Sequence, residues 1–177
     1  MSIIIRDSAD ADLPAITEIY RHAVRTGTAS FEYDPPDAAE MGRRRADVLS
    51  KGFSYLVADL NGQVAGYSYV NTYRARPGYR FSVEDSIYIA PDQRGAGLGR
   101  QLLPALLRRC EALDLRLVIA VIGDTANLAS IRLHARCGFT HAGTLPNVGW
   151  KHGHWLDSVF MVRALGVGAS QPPREGA

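Results

Sequence analysis

The feature that most constrains this chain is a junction. A strand-like segment ending at Ile89 passes through Pro91 into Gln93-Arg94-Gly95-Ala96-Gly97-Leu98-Gly99 and then into an apolar helical stretch. Three glycines at alternate positions leave backbone N–H groups uncovered where a helix begins. First-turn amides lack intrahelical acceptors and the helix dipole adds partial positive charge, so the junction suits a phosphate-bearing ligand. Any fold for this chain must place strand, loop and helix in that order. Alone, the loop is equally what a plain tight turn requires, because Gly tolerates positive φ.

Spacing separates the competing phosphate loops. A P-loop needs G-x-x-x-x-G-K-[ST], and no Gly-Lys-Ser or Gly-Lys-Thr follows these glycines. A dinucleotide fingerprint, G-x-G-x-x-G, should follow the first strand of a βαβ unit. Here the glycines come mid-chain as G-x-G-x-G, after several strands. The pattern that remains is Arg94-x-x-Gly97-x-Gly99.

With 177 residues and 46% hydrophobic content, the chain reads as one domain over residues 1–165. The stretch 166–177, rich in Gly and Pro, has little to bury and is expected to be a disordered tail. A formal charge of +2 argues against a nucleic-acid or membrane surface. Arg43-Arg44-Arg45 lies in an expected helix without interleaved aromatics and reads as a solvated face. Cys110 and Cys137 fall within apolar helical patterns, as buried thiols in a reducing compartment would. Nowhere do ~18 apolar residues run together. The expectation is a cytoplasmic protein.

Ile3 to Arg6 forms a β-branched run. Asp12 opens a helix with Pro14 in its first turn, and Leu13, Ile16, Ile19, Tyr20, Ala23 and Val24 keep helical spacing. Pro35-Pro36-Asp37 starts a second helix that ends near Gly52. Strands over Phe53–Asp59 and Val64–Tyr73 flank Asn61-Gly62, a strong hairpin signal, and a third covers Phe81–Ile89. Beyond the loop come an apolar helix from Leu98 to Leu113, a strand over Leu115–Ile122, and a helix over Asn127–Cys137 closed by Gly138. Phe139–Leu145 and Trp155–Val162 read as two last strands around a polar loop. Early hairpins and later strand–helix alternation give an α/β (α+β) domain with a central mixed, partly antiparallel sheet flanked by helices.

This order of elements resembles the GNAT acetyltransferase fold, with about seven strands, and the glycine loop resembles that superfamily's acetyl-coenzyme A loop. Asn127-Leu128-Ala129-Ser130-Ile131-Arg132-Leu133-His134-Ala135-Arg136-Cys137-Gly138-Phe139 resembles its second cofactor motif, with His134 where a Tyr is usual. Taken singly, Asn127 is equally a helix cap and His134 a satisfied helix histidine. Glu84-Asp85-Ser86-Ile87-Tyr88-Ile89, Val121-Ile122 and Lys151-His152-Gly153-His154-Trp155-Leu156-Asp157 narrow the resemblance to phosphinothricin and methionine sulfoximine N-acetyltransferases. It runs from about Ile3 to Arg163. The segment Asn71–Phe81 matches those relatives in character more than residue by residue.

The resemblance implies acetyl-coenzyme A as acetyl donor, held by main-chain groups of Ile87, Tyr88 and Ile89, by Arg94, Gly95, Ala96, Gly97, Leu98 and Gly99, and by Asn127 and Ser130. It implies Glu84 as general base and a homodimer. Strand alternation puts Glu84 on the sheet face opposite Val83, Asp85, Ile87 and Ile89. A carboxylate there can accept the ammonium proton if burial raises its pKa, and otherwise only forms an ion pair. Parting of the strand at Pro91 would free the amides of Ile87 and Ile89 to polarise the acetyl carbonyl. His134 is the expected proton donor to the departing sulfur.

Arg74 and Arg80, with Gly78 and Tyr79, are candidates for the acceptor's α-carboxylate, since guanidinium offers paired donors. Phe31 and Lys151 complete the expected acceptor site. His152 and His154 lack further ligands at metal-binding spacing, and no metal is expected. The leading reading is an N-acetyltransferase acting on the α-amine of methionine sulfoximine, methionine sulfone or phosphinothricin. The alternatives are a protein N-terminus, lysine or polyamine as acceptor, or a non-catalytic acyl-coenzyme A binding module. A polyamine site should be acidic, whereas this loop is rich in Arg.

Overall fold

A computed structural model of the chain describes residues 3–173. The strands are β1 (Ile3–Asp7), β2 (Tyr55–Leu60), β3 (Gln63–Thr72), β4 (Ser82–Ile89), β5 (Leu117–Gly123), β6 (Thr140–Lys151) and β7 (His154–Ala164). The helices are α1 (Leu13–Thr26), α2 (Ala38–Ser50), α3 (Gly99–Ala112) and α4 (Leu128–Arg136). Local chemistry sets most of their ends. Asn61 and Gly62 take φ of 52° and 86°, the left-handed pair that a two-residue hairpin demands. Asp37 caps α2 by accepting from the Glu40 N–H at 2.8 Å. Gly138, with φ of 84°, ends α4.

The seven strands form one sheet in the order β1-β2-β3-β4-β5-β7-β6. Neighbours pair antiparallel except β4 and β5, which are joined by the glycine loop and α3 and run parallel, as a helical crossover permits. Each sheet face has its own core. Leu102, Leu103, Leu106, Leu107 and Cys110 of α3 pack on Val70, Val83 and Val118. On the other face Ile16, Tyr20 and Val24 of α1 and Met41 and Val48 of α2 meet Tyr55, Val57 and Tyr67. The alternation of β4 follows: Val83, Ile87 and Ile89 face α3, whereas Tyr88 faces α1.

Two segments differ from expectation. The polar loop expected between Leu145 and Trp155 is strand: β6 continues to Lys151 across a bulge between Leu145 and Gly149, and the chain reverses at His152-Gly153. Asp157 Oδ1 accepts from the Asn147 N–H at 2.9 Å, satisfying a backbone donor in the bulge, and Trp150 pairs edge-to-face with Trp155 across the hairpin. The expected disordered tail begins as ordered turns. The Gly168 N–H donates to Leu165 O at 2.8 Å, Arg116 Nη1 donates to Gly168 O at 3.2 Å, and the Leu165 side chain is fully buried. Residues 174–177 of that tail lie outside the described residues. Among the described residues no helix is long and apolar enough to cross a membrane.

Candidate active site

The sheet parts at its centre. β4 and β5 pair only from Ser82↔Leu117 to Asp85↔Ala120, while β3 stays paired with β4 through Ile89 and β7 with β5 through Gly123. The parting therefore starts at Asp85, well before Pro91. The Ala90 N–H donates to Ala65 O at 2.9 Å. Alternate strand residues turn their N–H groups to the same neighbour, so those of Ser86 and Tyr88 face β3. The N–H groups of Ile87 and Ile89 face the β5 side, where no strand pairs with them. An extended amide-bearing ligand would pair with these open strand donors by strand addition.

The glycine loop opens at the same end of the sheet. Gly95 and Gly97 both have φ of 82°, and a Cβ on either would meet nothing within 4 Å, so glycine is needed there for backbone conformation and not for space. Gly99 differs: its Cβ would lie 2.9 Å from Leu133 Cδ2, so its absence lets α4 close on α3. Among the described residues the N–H groups of Gly95, Gly97, Leu98 and Gly99 donate to no protein acceptor, whereas those of Arg100 and Gln101 bond to Gly97 O and Leu98 O. The free amides sit at the start of α3, where the helix dipole favours an anion. A diphosphate fits this donor set.

Glu84 lies at the foot of the parting, half-buried, opposite Asn71 of β3 and Ile119 of β5. Burial, and then the negative charge of Asp85, hold its pKa above the ordinary glutamate value. Among the described residues no cation or hydrogen-bond donor opposes that shift. The carboxylate is suited to accept a proton near neutrality.

The structure places His134 in a buried pair with Asp85. Its side chain is 3% exposed; Nε2 lies 3.0 Å from Asp85 Oδ2 and Nδ1 lies 2.8 Å from Ser130 O. Both ring nitrogens are engaged on the α3–α4 face, opposite Glu84, so donation to a sulfur in the parting would first cost one of these bonds. Burial pulls the His134 pKa down, but the hydrogen bond and charge of Asp85, aided by Ser130 O, outweigh it and leave the pKa raised. Asp85 is the site residue the sequence reading missed. The signal was present, since a carboxylate on the apolar side of β4, between Val83 and Ile87, requires a buried partner. Asn127 Oδ1 caps α4 by accepting from the Ser130 N–H at 3.3 Å, so this residue serves as a cap whatever else it binds. The Ser130 hydroxyl lies 3.3 Å from His134 Nδ1.

The expected acceptor residues fall into two groups. Arg74, Gly78, Tyr79 and Arg80 share the exposed segment just before β4, where the Arg74 guanidinium lies 5.2 Å from the Tyr73 ring and that of Arg80 lies 4.4 Å from the Phe81 ring. Phe31 and Lys151 belong to a roof across the far end of β5. A Cβ at Gly123 would lie 2.0 Å from Thr28 O and one at Gly149 would lie 2.3 Å from the Phe31 ring, so both glycines admit the α1–α2 loop. Lys151 departs from expectation: it is buried, and Nζ donates to Ser30 O at 2.6 Å, which secures the roof instead of presenting a charge. On the Glu84 face, Tyr67, Tyr69 and Asn71 help line a cavity of about 560 Å3 beneath α2. Among the described residues no group of three or more His, Cys, Asp or Glu is placed to hold a metal ion.

A sheet parted beside free helix-start amides, with an unpaired carboxylate at the point of parting, defines an acyl-group transferase built to take an extended, phosphate-bearing thioester. The sequence profile of the Acetyltransferase (GNAT) family matches residues 15–139, and the chain belongs to that family of N-acetyltransferases. A phosphinothricin N-acetyltransferase of Alcaligenes faecalis is 54% identical over 96% of this chain and 86% of its own length. An L-methionine sulfoximine/L-methionine sulfone acetyltransferase of Pseudomonas aeruginosa is 43% identical over 97% of this chain and 100% of its own. The crystal structure of a GNAT superfamily phosphinothricin acetyltransferase from Sinorhizobium meliloti, in complex with AcCoA, superimposes with a TM-score of 0.96 at 47% identity, covering 99% of this chain and 95% of that one.

Proposed function

We propose that the chain moves an acetyl group from acetyl-coenzyme A to the α-amine of methionine sulfoximine, methionine sulfone or phosphinothricin. The observation that carries this reading is the unpaired edge of β4: two free amides, at Ile87 and Ile89, rise above a half-buried carboxylate, Glu84, that has no counter-ion among the described residues. The named relatives support the acceptor class. The cofactor supplies an acetyl thioester. In this reading the amides of Gly95 to Gly99, with Arg94, hold its diphosphate. The Ile87 and Ile89 amides pair with its extended arm and polarise the carbonyl, while Tyr88 packs against Tyr20 at 5.1 Å and steadies the strand. Glu84 takes the proton from the acceptor ammonium. Arg74 and Arg80 hold the acceptor carboxylate, and Phe31 forms a wall. His134, bound by Asp85, positions α4 and its Asn127 and Ser130.

The test is thiol release with acetyl-coenzyme A and a panel of acceptors. The amino acid analogues are expected to exceed spermidine and a short peptide in kcat/KM by on the order of 100-fold, the discrimination that a site built to pair a carboxylate can give. A peptide or polyamine ranking first would overturn the acceptor class. No turnover on any amine, with tight cofactor binding, would make the chain a binding module.

The same reading takes residues 1–165 as one catalytic domain in the cytoplasm, where the free thiols of Cys110 and Cys137 persist. It also takes the enzyme as a homodimer. Leu145, Val148, Trp150 and Trp155 are each about half-exposed on the β6–β7 hairpin at the sheet edge, an apolar surface that a second copy would cover. Light scattering at micromolar concentration should give a dimer, and Trp150→Ser with Trp155→Ser a monomer. A monomeric wild type would refute this assembly.

A further inference from the structure

Away from Glu84 and the parted strands, three guanidinium groups converge. Arg100 in the first turn of α3, Arg136 at the end of α4 and Arg163 of β7 line an open basin of about 730 Å3, completed by Pro104, Cys137 and Gly138. Among the described residues no carboxylate lines it. Arg163 is partly engaged, since Nη1 donates to Cys137 O at 2.5 Å and Nη2 lies 3.8 Å from Glu111 Oε1. Arg100 and Arg136 are exposed and form no ion pair or side-chain hydrogen bond among the described residues. Gathered like charges repel, and a bound anion relieves that repulsion.

The basin adjoins the free amides. Gly99 lets Leu133 close on α3, and Arg136 follows Leu133 by three residues, on the neighbouring surface of the same helix. Arg100 comes immediately after the last glycine of the loop. A nucleotide whose diphosphate lies on the loop amides therefore continues toward these two side chains. The other charged group on that end of coenzyme A is the ribose 3′-phosphate, a phosphomonoester that is nearly a dianion at neutral pH.

We propose that this basin binds the 3′-phosphate of the cofactor, with Arg100 and Arg136 as its ligands. The inference rests on the coenzyme A reading above. Two guanidinium forks match the oxygens of one phosphomonoester and leave the amides of Gly95, Gly97, Leu98 and Gly99 free for the diphosphate. Arg163, already bonded to the α4 terminus, contributes charge more than direct bonds.

Calorimetric titration with coenzyme A and with dephospho-coenzyme A, which differ only in that phosphate, tests the assignment without reliance on turnover. The wild type is expected to bind coenzyme A on the order of 10–100-fold more tightly, since each charge-assisted contact is worth about tenfold. Arg100→Ala and Arg136→Ala should each remove about tenfold of that preference. The double variant should bind both ligands alike, and Arg100→Lys should restore part of the difference. Equal binding of the two ligands by the wild type would overturn the proposal. So would variants that weaken both ligands equally, which would make the arginines structural. Inorganic phosphate as a probe separates the sources of the same chemistry: affinity matching that of coenzyme A would mark a general anion site and also overturn it. If the wild type bound neither coenzyme, the coenzyme A reading itself would have failed.

Discussion

Glu84→Gln is expected to lower kcat/KM for the amino acid acceptor by about 10²–10⁴-fold, the range for loss of a positioned general base, with little change in acetyl-coenzyme A affinity. Gln keeps the size and removes the basic oxygen. The pH profile of the wild type supplies the sign. Burial and the charge of Asp85 raise the Glu84 pKa, and the base acts as the carboxylate. The acid limb of kcat/KM should therefore climb with pH at a point above the ordinary glutamate range of about 4.3. Removing the negative neighbour, as in Asp85→Asn, should move that limb to lower pH. Retention of most of the activity by Glu84→Gln, or an acid limb at the ordinary carboxylate position, would rule out Glu84 as the base.

Asp85→Leu is expected to destabilise the fold by about 3–5 kcal/mol, because it strands the buried His134 imidazole without a partner for Nε2. The pair spans β4 and α4 at the last residue before the strands part, with the Asp85 and His134 side chains 1% and 3% exposed. Replacing both partners by Leu should recover much of the loss, since a buried ion pair is often matched by apolar packing. The pH dependence follows from the raised His134 pKa. A group whose pKa rises on folding adds stability that is complete below its unfolded value of about 6.5. That contribution disappears as pH rises through the folded value. Melting temperatures across this window should fall more for the wild type than for the doubly substituted chain. As a positioning pair it should also affect catalysis unevenly: in Asp85→Leu the KM for acetyl-coenzyme A should rise more than kcat falls. An Asp85→Leu variant that melts like the wild type would refute the anchoring role.

Much of this architecture was legible because it is written over short spans. The Asn61-Gly62 hairpin, the Asp37 cap, the Gly138 helix end and the free amides of Gly95, Gly97, Leu98 and Gly99 each depend on a few consecutive residues and their allowed φ. The end of β6 differs from expectation for a related reason. Asn147 and Gly149 look like loop residues, yet the bulge they form is closed by Asp157, which lies beyond the hairpin turn. Strand alternation put Glu84 and Asp85 on opposite faces of the sheet and placed Asp85 among apolar neighbours without saying what it would meet.

The sequence by itself determined the strand–glycine loop–helix junction, the hairpins and the alternation that separates Glu84 from Asp85, because these arise from backbone sterics and local periodicity. Tertiary structure alone decided that β4 and β5 part after Asp85 and that His134 turns to Asp85, 49 residues away. It also decided that Lys151 is spent on Ser30 and that Arg100 and Arg136 line one basin. The direction of a side chain is local; what it points at depends on how distant elements pack, and no local spacing encodes that.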